Sequence, residues 1–396
     1  MALCTDTFDE INGVATISRH FAAFAQRRNL PLLVVRPGPS LSSVQQGSVT
    51  FVDIPKSGLC LPLDMGLRFD LLIGRHYFWL RQRIVDFDPD VLHVTGPGDI
   101  GMLCAALAHF IKPKVPLVAA WHTNIHQYAG MRMEPLLRCL PVRMKAAARR
   151  GIEGASFWAT AHFYGLGRLL MAPNPEILAR LMRATHKPGS VMPHGVDTEL
   201  FRPAKTKAPG KIALGYVGRL TPEKNVRFLA DLAKGLPADV RERVRFLIVG
   251  DGSQRSWLES HLPNAQFTGI LRGQALYDAF ADMDIFLFPS RSDTFGLVVL
   301  EAMSSGLPVV AFDLSGPMCA VQDGHTGFTS PCEDSFIQRT VDLVRNESMR
   351  CEFGRSARRA ALSFGWDFVF DSIYAAYATM EPRLRATISA ELPVHH

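Results

Sequence analysis

The chain has 396 residues, 47% of them hydrophobic and 20% charged, which is the composition of a globular protein long enough for two domains. A net charge of +6 and a pI near 9.0 suit anionic ligands or an anionic membrane surface, but are too weakly basic to imply a nucleic-acid partner. Seven cysteines without a C-x-x-C pair, a start that is not a signal peptide, and the lack of an uncharged apolar run of ~18 residues point to a cytoplasmic chain with no spanning helix.

The first elements alternate. Met1 to Cys4 predicts a short strand, Thr5 to Asn12 a loop ending at Gly13, and Val14 to Arg27 a helix with Val14, Ile17, Phe21 and Phe24 on one face. A strand, a glycine-containing loop and a helix make an anion site in many α/β proteins, although Gly13 also reads as a plain turn glycine. Leu32 to Val35 predicts a second strand and Pro37 to Gly47 a loop. Val91 to Val94 is the next strand, then the loop HVTGPGDIG (93–101), a helix from Met102 to Ile111, and a strand from Val115 to Ala120. Such alternation predicts a parallel sheet with ligands at the carboxyl ends of its strands, where His122 falls. A lone histidine there is also compatible with a core or surface role. Arg132 to Arg150 mixes six cations with methionines and leucines, a pattern that fits either an anionic lipid surface or a solvated helix face. Pro141 divides it. Phe157 to Thr160 and Arg168 to Ala172 read as strands, and Pro175 to Met182 as a helix.

PHGVDTELFRP (193–203) leads into the linker AKTKAPGK (204–211). The second half opens with IALGYVGRLTPEKN, a strand whose loop carries Arg219 and Lys224. Two cations at a strand end can neutralise a diphosphate, though most such side chains are merely solvated. Gly250-Asp251-Gly252, after the strand Val244 to Val249, is not a G-x-G-x-x-G, which weighs against a dinucleotide dehydrogenase in this half. Ile285 to Phe288 reads as a buried strand, Phe295 to Ser304 as a helix and Val309 to Phe312 as another strand. Asp293 precedes that helix and Glu301 lies within it, roughly 9 Å further along the axis if the helix starts near Phe295. The free N–H groups of Phe295, Gly296 and Leu297 would attract phosphate or sugar oxygens. A sugar joined to a nucleoside by a diphosphate suits this spacing. Asp293 would hold sugar hydroxyls, the helix end the diphosphate, and Glu301 a ribose diol. A capping Asp293 and a solvated Glu301 are the alternative.

These segments together resemble the retaining GT-B glycosyltransferases of the group 1 (family 4) type. The match runs through Pro289 to Val310, GRLTPEKN (218–225) and the HGVD segment (194–197), and more loosely through DTFDEINGVA (6–15) and WHTNIHQYA (121–129). Two departures stand out: Asp293 replaces the more common Glu, and Asn124 stands where Asp is common. The resemblance implies an α/β GT-B fold of two Rossmann-like domains with parallel sheets facing across a cleft. The expected acceptor-side domain spans 1–203, the linker 204–211 and the nucleotide-sugar domain 212–365, with 366–396 as a helix returning to the first domain and a tail. It implies that His122, Arg219, Lys224 and Asp293 serve catalysis. It places Gly13, Arg219, Lys224, Ile270, Asp293, Phe295, Gly296, Leu297 and Glu301 at the donor, with Ile270 in the loop FTGILRG (267–273) that frames the nucleobase. Asn12, His93, Asn124 and Tyr128 fall on the acceptor side. No cofactor and no metal are expected; the nucleotide diphosphate sugar is a co-substrate. The D-x-D at Asp282 and Asp284, a pattern metal-dependent sugar transferases use, is set aside because it falls where a helix runs into a buried strand. The implied reaction moves a hexose from UDP-glucose, UDP-galactose or GDP-mannose, with retention, to an acceptor that includes lipid-linked candidates. The basic segment would then place the protein peripherally on a membrane face. A non-catalytic sugar-nucleotide binder and a nucleotide-sugar epimerase are the alternatives.

Overall fold

The computed structural model describes residues 1–10, 12–64, 67–111, 114–122, 141–204, 210–291, 293–313 and 320–380. The chain divides into two compact units, residues 1–193 joined by the segment from Trp366 onward, and residues 194–365.

The first unit runs β1 (Ala2–Cys4), α1 (Gly13–Arg27), β2 (Leu32–Pro37), β3 (Ser42–Gln46), β4 (Val49–Ile54), β5 (Cys60–Asp64), β6 (Leu67–Asp70), α2 (Tyr77–Phe87), β7 (Leu92–Val94), α3 (Asp99–Phe110), β8 (Leu117–Ala120), α4 (Val142–Tyr164), β9 (Leu169–Ala172), α5 (Pro175–Thr185) and β10 (Gly189–Val191). Among the described residues its main sheet has the order β10-β9-β8-β7-β1-β2-β4-β3. All neighbours are parallel except β3, which pairs antiparallel with β4 at the edge. The strand order reverses direction between β1 and β7, so the crevice for a ligand lies outside their carboxyl ends.

Two expected elements differ. Phe157 to Thr160 belongs to α4 rather than to a strand: Phe157, Ala161 and Tyr164 are buried at helical spacing, and the Phe157 and Tyr164 rings pack on Trp121. The expected loop between Pro37 and Gly47 holds β3, a polar edge strand that pairs with β4. Pro141 immediately precedes α4, so the helix begins after the proline instead of crossing it.

The second unit contains β11 (Ile212–Val217), α6 (Phe228–Gly235), α7 (Ala238–Arg243), β12 (Val244–Val249), α8 (Arg255–His261), β13 (Gln266–Gly269), α9 (Gly273–Ala281), β14 (Ile285–Phe288), α10 (Leu297–Ser304), β15 (Val309–Phe312), β16 (Gly327–Ser330), α11 (Glu333–Arg345) and α12 (Glu347–Ala361). Its strands are all parallel in the order β13-β12-β11-β14-β15-β16. That is the doubly wound order, with its switch point between β11 and β14. The apolar run of β14 is buried on both faces. Ile285 and Leu287 join one core cluster and Phe286 and Phe288 the other, as a period of two dictates for a sheet covered by helices on both sides.

The expected boundary at residue 203 falls about ten residues too late, because the strap 194–203 packs with the second unit. Val196 N–H donates to the Phe364 carbonyl at 2.8 Å, Phe201 is buried in that unit's core, and Arg358 donates to the carbonyls of Thr198 (3.0 Å) and Phe201 (2.8 Å). The last helix, α13 (Trp366–Ala378), lies on α1 in the first unit, with Phe21 and Phe370 ring centroids 4.6 Å apart.

Candidate functional site

The switch point of the second sheet gathers the charged residues. The chain leaves β11 through Gly218 and Arg219 into a 3-10 turn, Pro222–Lys224, closed by Asn225 in the left-handed region at φ 53°. It leaves β14 through the loop that carries Asp293. The two loops meet there. Lys224 Nζ forms an ion pair with Asp293 Oδ1, and Asn225 Nδ2 donates to the Pro289 carbonyl at 3.2 Å. Arg219 lies 3.4 Å from Glu223. Burial alone would raise the Asp293 carboxyl. The charge and hydrogen bond of Lys224, with Ser290 and Arg219 beside it, outweigh burial and hold it below the ordinary range. The acid is therefore ionised and the two cations are held in place at neutral pH.

The helix after this loop starts later than its sequence predicts. Phe295 is a core residue, 1% exposed, with its ring 4.9 Å from that of His194. The turn comes at Gly296, whose φ of +81° is a left-handed conformation that suits glycine, and α10 begins at Leu297. Glu301 therefore lies only four residues into the helix, ~6 Å along its axis. Its Oε2 has no hydrogen-bond partner among the described residues, and burial pushes its carboxyl up to about 7. Ile270 is exposed just beyond the carboxyl end of β13, at the same edge of the sheet but three strands from β14. The D-x-D stands at the opposite edge. Asp284 precedes β14 and accepts from Ala213 N–H at 2.8 Å, while Asp282 pairs with Arg245 at 2.6 Å. A four-residue strand, ~13 Å long, separates these acids from the Lys224–Asp293 pair.

In the first unit, Asn12 caps α1, its Oδ1 accepting from Ala15 N–H at 2.9 Å, and Gly13 is the first helical residue. His122 follows β8, buried, with burial lowering its pKa to about 4, so it is neutral at pH 7. His93 is fully buried within β7, where burial and the nearby His122 lower it to about 3. It does not stand at an open strand end. Its Nδ1 is 2.7 Å from the hydroxyl of Tyr377 on α13, which makes it part of the core. Asn124, Tyr128 and the basic residues up to 140 lie outside the described residues. Of the remainder of that segment, Arg149 pairs with Glu153 at 2.8 Å and Arg150 is exposed.

The sequence reading missed a buried pair of acids at the switch point of the first sheet. Asp6 follows β1, and its Oδ1 accepts from the N–H of Ile100 at 2.8 Å at the start of α3. Burial first, and then the neighbouring Asp99, push its carboxyl up. Gly98 makes the room: a Cβ there would stand 2.2 Å from Asp6 Cγ. The signal was present as Gly96, Gly98 and Gly101 in the loop after β7, but nothing local says that a carboxylate from 90 residues away fills the space.

Comparison with known proteins adds the following. The family description "Glycosyltransferase Family 4" matches residues 11–200, and "Glycosyl transferases group 1" matches 211–346. A GDP-mannose-dependent alpha-mannosyltransferase from Mycobacterium tuberculosis is 31% identical over 323 residues, covering 79% of each chain. A phosphatidyl-myo-inositol mannosyltransferase from Mycobacterium leprae is 26% identical over 96% of each. The solved sucrose-phosphate synthase of Thermosynechococcus elongatus shares the fold, with a TM-score of 0.70 at 14% identity over 96% of this chain and 98% of that one.

Proposed function

The chain belongs to the group 1 (family 4) glycosyltransferases and has their GT-B fold, and from that membership we propose that it transfers mannose from GDP-mannose, with retention, to a lipid-linked acceptor. The observation that carries the proposal is the Lys224–Asp293 ion pair with Arg219 beside it at the switch point. In the reaction, the bond from the anomeric carbon to the diphosphate oxygen breaks and a bond to the acceptor oxygen forms on the same face. The acceptor proton passes to the departing phosphate. Negative charge grows on the diphosphate, and Arg219 and Lys224 stabilise it without a divalent ion. When donor enters, Lys224 turns from Asp293 to phosphate, and Asp293 accepts from sugar hydroxyls. Glu301, with an open acceptor oxygen, takes the ribose diol.

The name of the M. tuberculosis relative supports the choice of GDP-mannose, and the name of the M. leprae relative supports a lipid acceptor. The test is incubation with GDP-mannose, UDP-glucose and UDP-galactose in turn, with vesicles containing phosphatidylinositol, followed by NMR of the product. An α-mannolipid from GDP-mannose alone is the expected result. A β-linked product would overturn retention, transfer from a UDP-sugar would overturn the donor, and donor binding without turnover would make the protein a binder.

A further inference from the structure

Thr5 and Thr95 stand side by side at the switch point of the first sheet. Each extends its strand by one step of the ladder. Thr5 N–H donates to the Val35 carbonyl at 3.0 Å, and Thr95 N–H to the Cys4 carbonyl at 3.1 Å. Successive residues of an extended chain point to opposite sides, so Asp6 turns to α3 and Thr5 to α1. The Thr5 side chain is wholly buried. Its hydroxyl donates to the Thr7 carbonyl at 2.8 Å and accepts from the hydroxyls of Thr95 at 3.1 Å and Ser18 at 3.3 Å. That uses the one donor and both lone pairs that a hydroxyl has. Thr7, Ser18 and Thr95 are buried with it.

From this hydroxyl the contacts run to the start of α1. Thr7 Oγ1 donates to Asn12 Oδ1 at 3.4 Å, and the same Oδ1 caps α1 by accepting from Ala15 N–H at 2.9 Å. The Asn12 carbonyl accepts from the Thr16 hydroxyl at 3.1 Å. Two donors on Oδ1 fix which way the Asn12 amide points, because its NH2 end cannot accept from a helix N-terminus. Nδ2 is thereby left as a pair of N–H donors with no partner among the described residues, on a half-buried side chain. The loop that carries it leaves β1 at the crevice between β1 and β7, where a ligand of a parallel sheet sits.

We propose that the Thr5 hydroxyl is a positioning group for the acceptor: through Thr7 it holds Asn12 so that the open Nδ2 donors meet an acceptor oxygen at this crevice. Hydroxyls buried together contribute little to stability that valine and alanine would not. Their directional bonds instead fix the loop to three elements at once: the end of β1, the end of β7 and the face of α1. A donor fixed in advance need not be ordered when the acceptor arrives. This role rests on the transferase reading above. If Thr5 served only to satisfy its neighbours, its loss would show in stability and nowhere else.

The test compares variants of the full chain in transfer from GDP-mannose to phosphatidylinositol vesicles, GDP-mannose affinity, urea midpoint and amide hydrogen exchange over residues 5–16. Thr5→Val keeps the shape and removes the hydroxyl. Its kcat/KM for the acceptor should fall at least about ten-fold and its exchange should quicken, with GDP-mannose affinity unchanged. Thr5→Ser restores the hydroxyl and should keep most of the wild-type kcat/KM. Asn12→Asp still offers an oxygen to cap α1 but cannot donate, so its kcat/KM should fall at least about ten-fold at an unchanged urea midpoint. Tyr377→Phe loses a buried hydrogen bond elsewhere in the unit, and should lower the midpoint without lowering kcat/KM. Wild-type kcat/KM in Thr5→Val or Asn12→Asp overturns the proposal. So does a Thr5→Ser as impaired as Thr5→Val, or an equal fall in Tyr377→Phe. If Thr5→Val does not fold, Thr95→Val, which withdraws one donor from Thr5, takes its place, and wild-type kcat/KM there has the same meaning. If the wild type transfers to no acceptor, the transferase reading fails by itself. Exchange then decides about Thr5: unchanged exchange in Thr5→Val overturns its hold on the loop, and faster exchange supports it.

Discussion

Glu301 carries the most specific expectation among single residues. Burial raises its carboxyl from the ordinary 4.5 to about 7, so the side chain is protonated below that pH and ionised above it. Its raised folded-state pKa means that ionising it costs stability as pH rises through about 7, until a donor hydroxyl compensates the charge. GDP-mannose affinity should therefore rise between about pH 6 and about pH 8, because only the carboxylate makes a charge-assisted hydrogen bond and the diphosphate diester does not titrate there. Glu301→Gln should bind donor ten-fold or more weakly at pH 8, from the loss of roughly 1.5–3 kcal/mol, and its affinity should not vary with pH. Calorimetry at several pH values checks both; identical pH profiles for the two proteins would remove Glu301 from the ribose. Lys224 and Asp293 supply a second test. Lys224→Ala leaves a buried carboxylate without its main cation and removes charge from the leaving group. Turnover should fall by at least about a hundred-fold, while excess EDTA leaves the wild type active. Activity lost in EDTA and restored by manganese would contradict this.

Among the elements, the loop from β7 into α3 is the tightest point. Gly98→Ala places a methyl group 2.2 Å from Asp6 Cγ and displaces the carboxylate from the start of α3. A destabilisation of about 1–3 kcal/mol is expected, read as a lower urea midpoint at unchanged slope. A variant as stable as the wild type would show that the loop yields easily. The C-terminal helix is held by the Tyr377 hydroxyl on His93. Tyr377→Phe leaves His93 Nδ1 buried without that partner and should cost about 1–3 kcal/mol, checked by the same titration. Helix boundaries were the least legible part of the sequence. Phe157 to Thr160 is short and apolar, which fits a strand or a buried helix equally, and only the packing of Phe157 and Tyr164 on Trp121 decides between them. Likewise Phe295 looks like a first helical residue, but its ring is drawn into the core and Gly296 makes the turn.

For the molecule as a whole, binding of a nucleotide sugar should raise thermal stability. At 100 times its dissociation constant GDP-mannose should add about 2.7 kcal/mol, and the second unit should respond first, since its sheet holds the Lys224–Asp293 site. A thermal-shift panel that favours UDP-glucose or UDP-galactose would redirect the donor. No helix among the described residues is long and apolar enough to cross a membrane.

By itself the sequence determined the alternation of strands and helices, because runs such as Ile285 to Phe288 are apolar on every residue and only a doubly covered parallel strand or a buried helix accepts that pattern. It also determined which charged residues stand in loops at strand ends. Only the tertiary structure decided which of them meet. Lys224 and Asp293 are 69 residues apart, and they touch because β11 and β14 are neighbours at the point where the sheet reverses its order. Asp6 and Ile100 meet for the same reason between β1 and β7. Strand order is set by how whole faces of a sheet are covered, which no window of sequence contains. For that reason the buried acids of the first unit, the core position of His93 and the strap 194–203 became visible only in the folded chain.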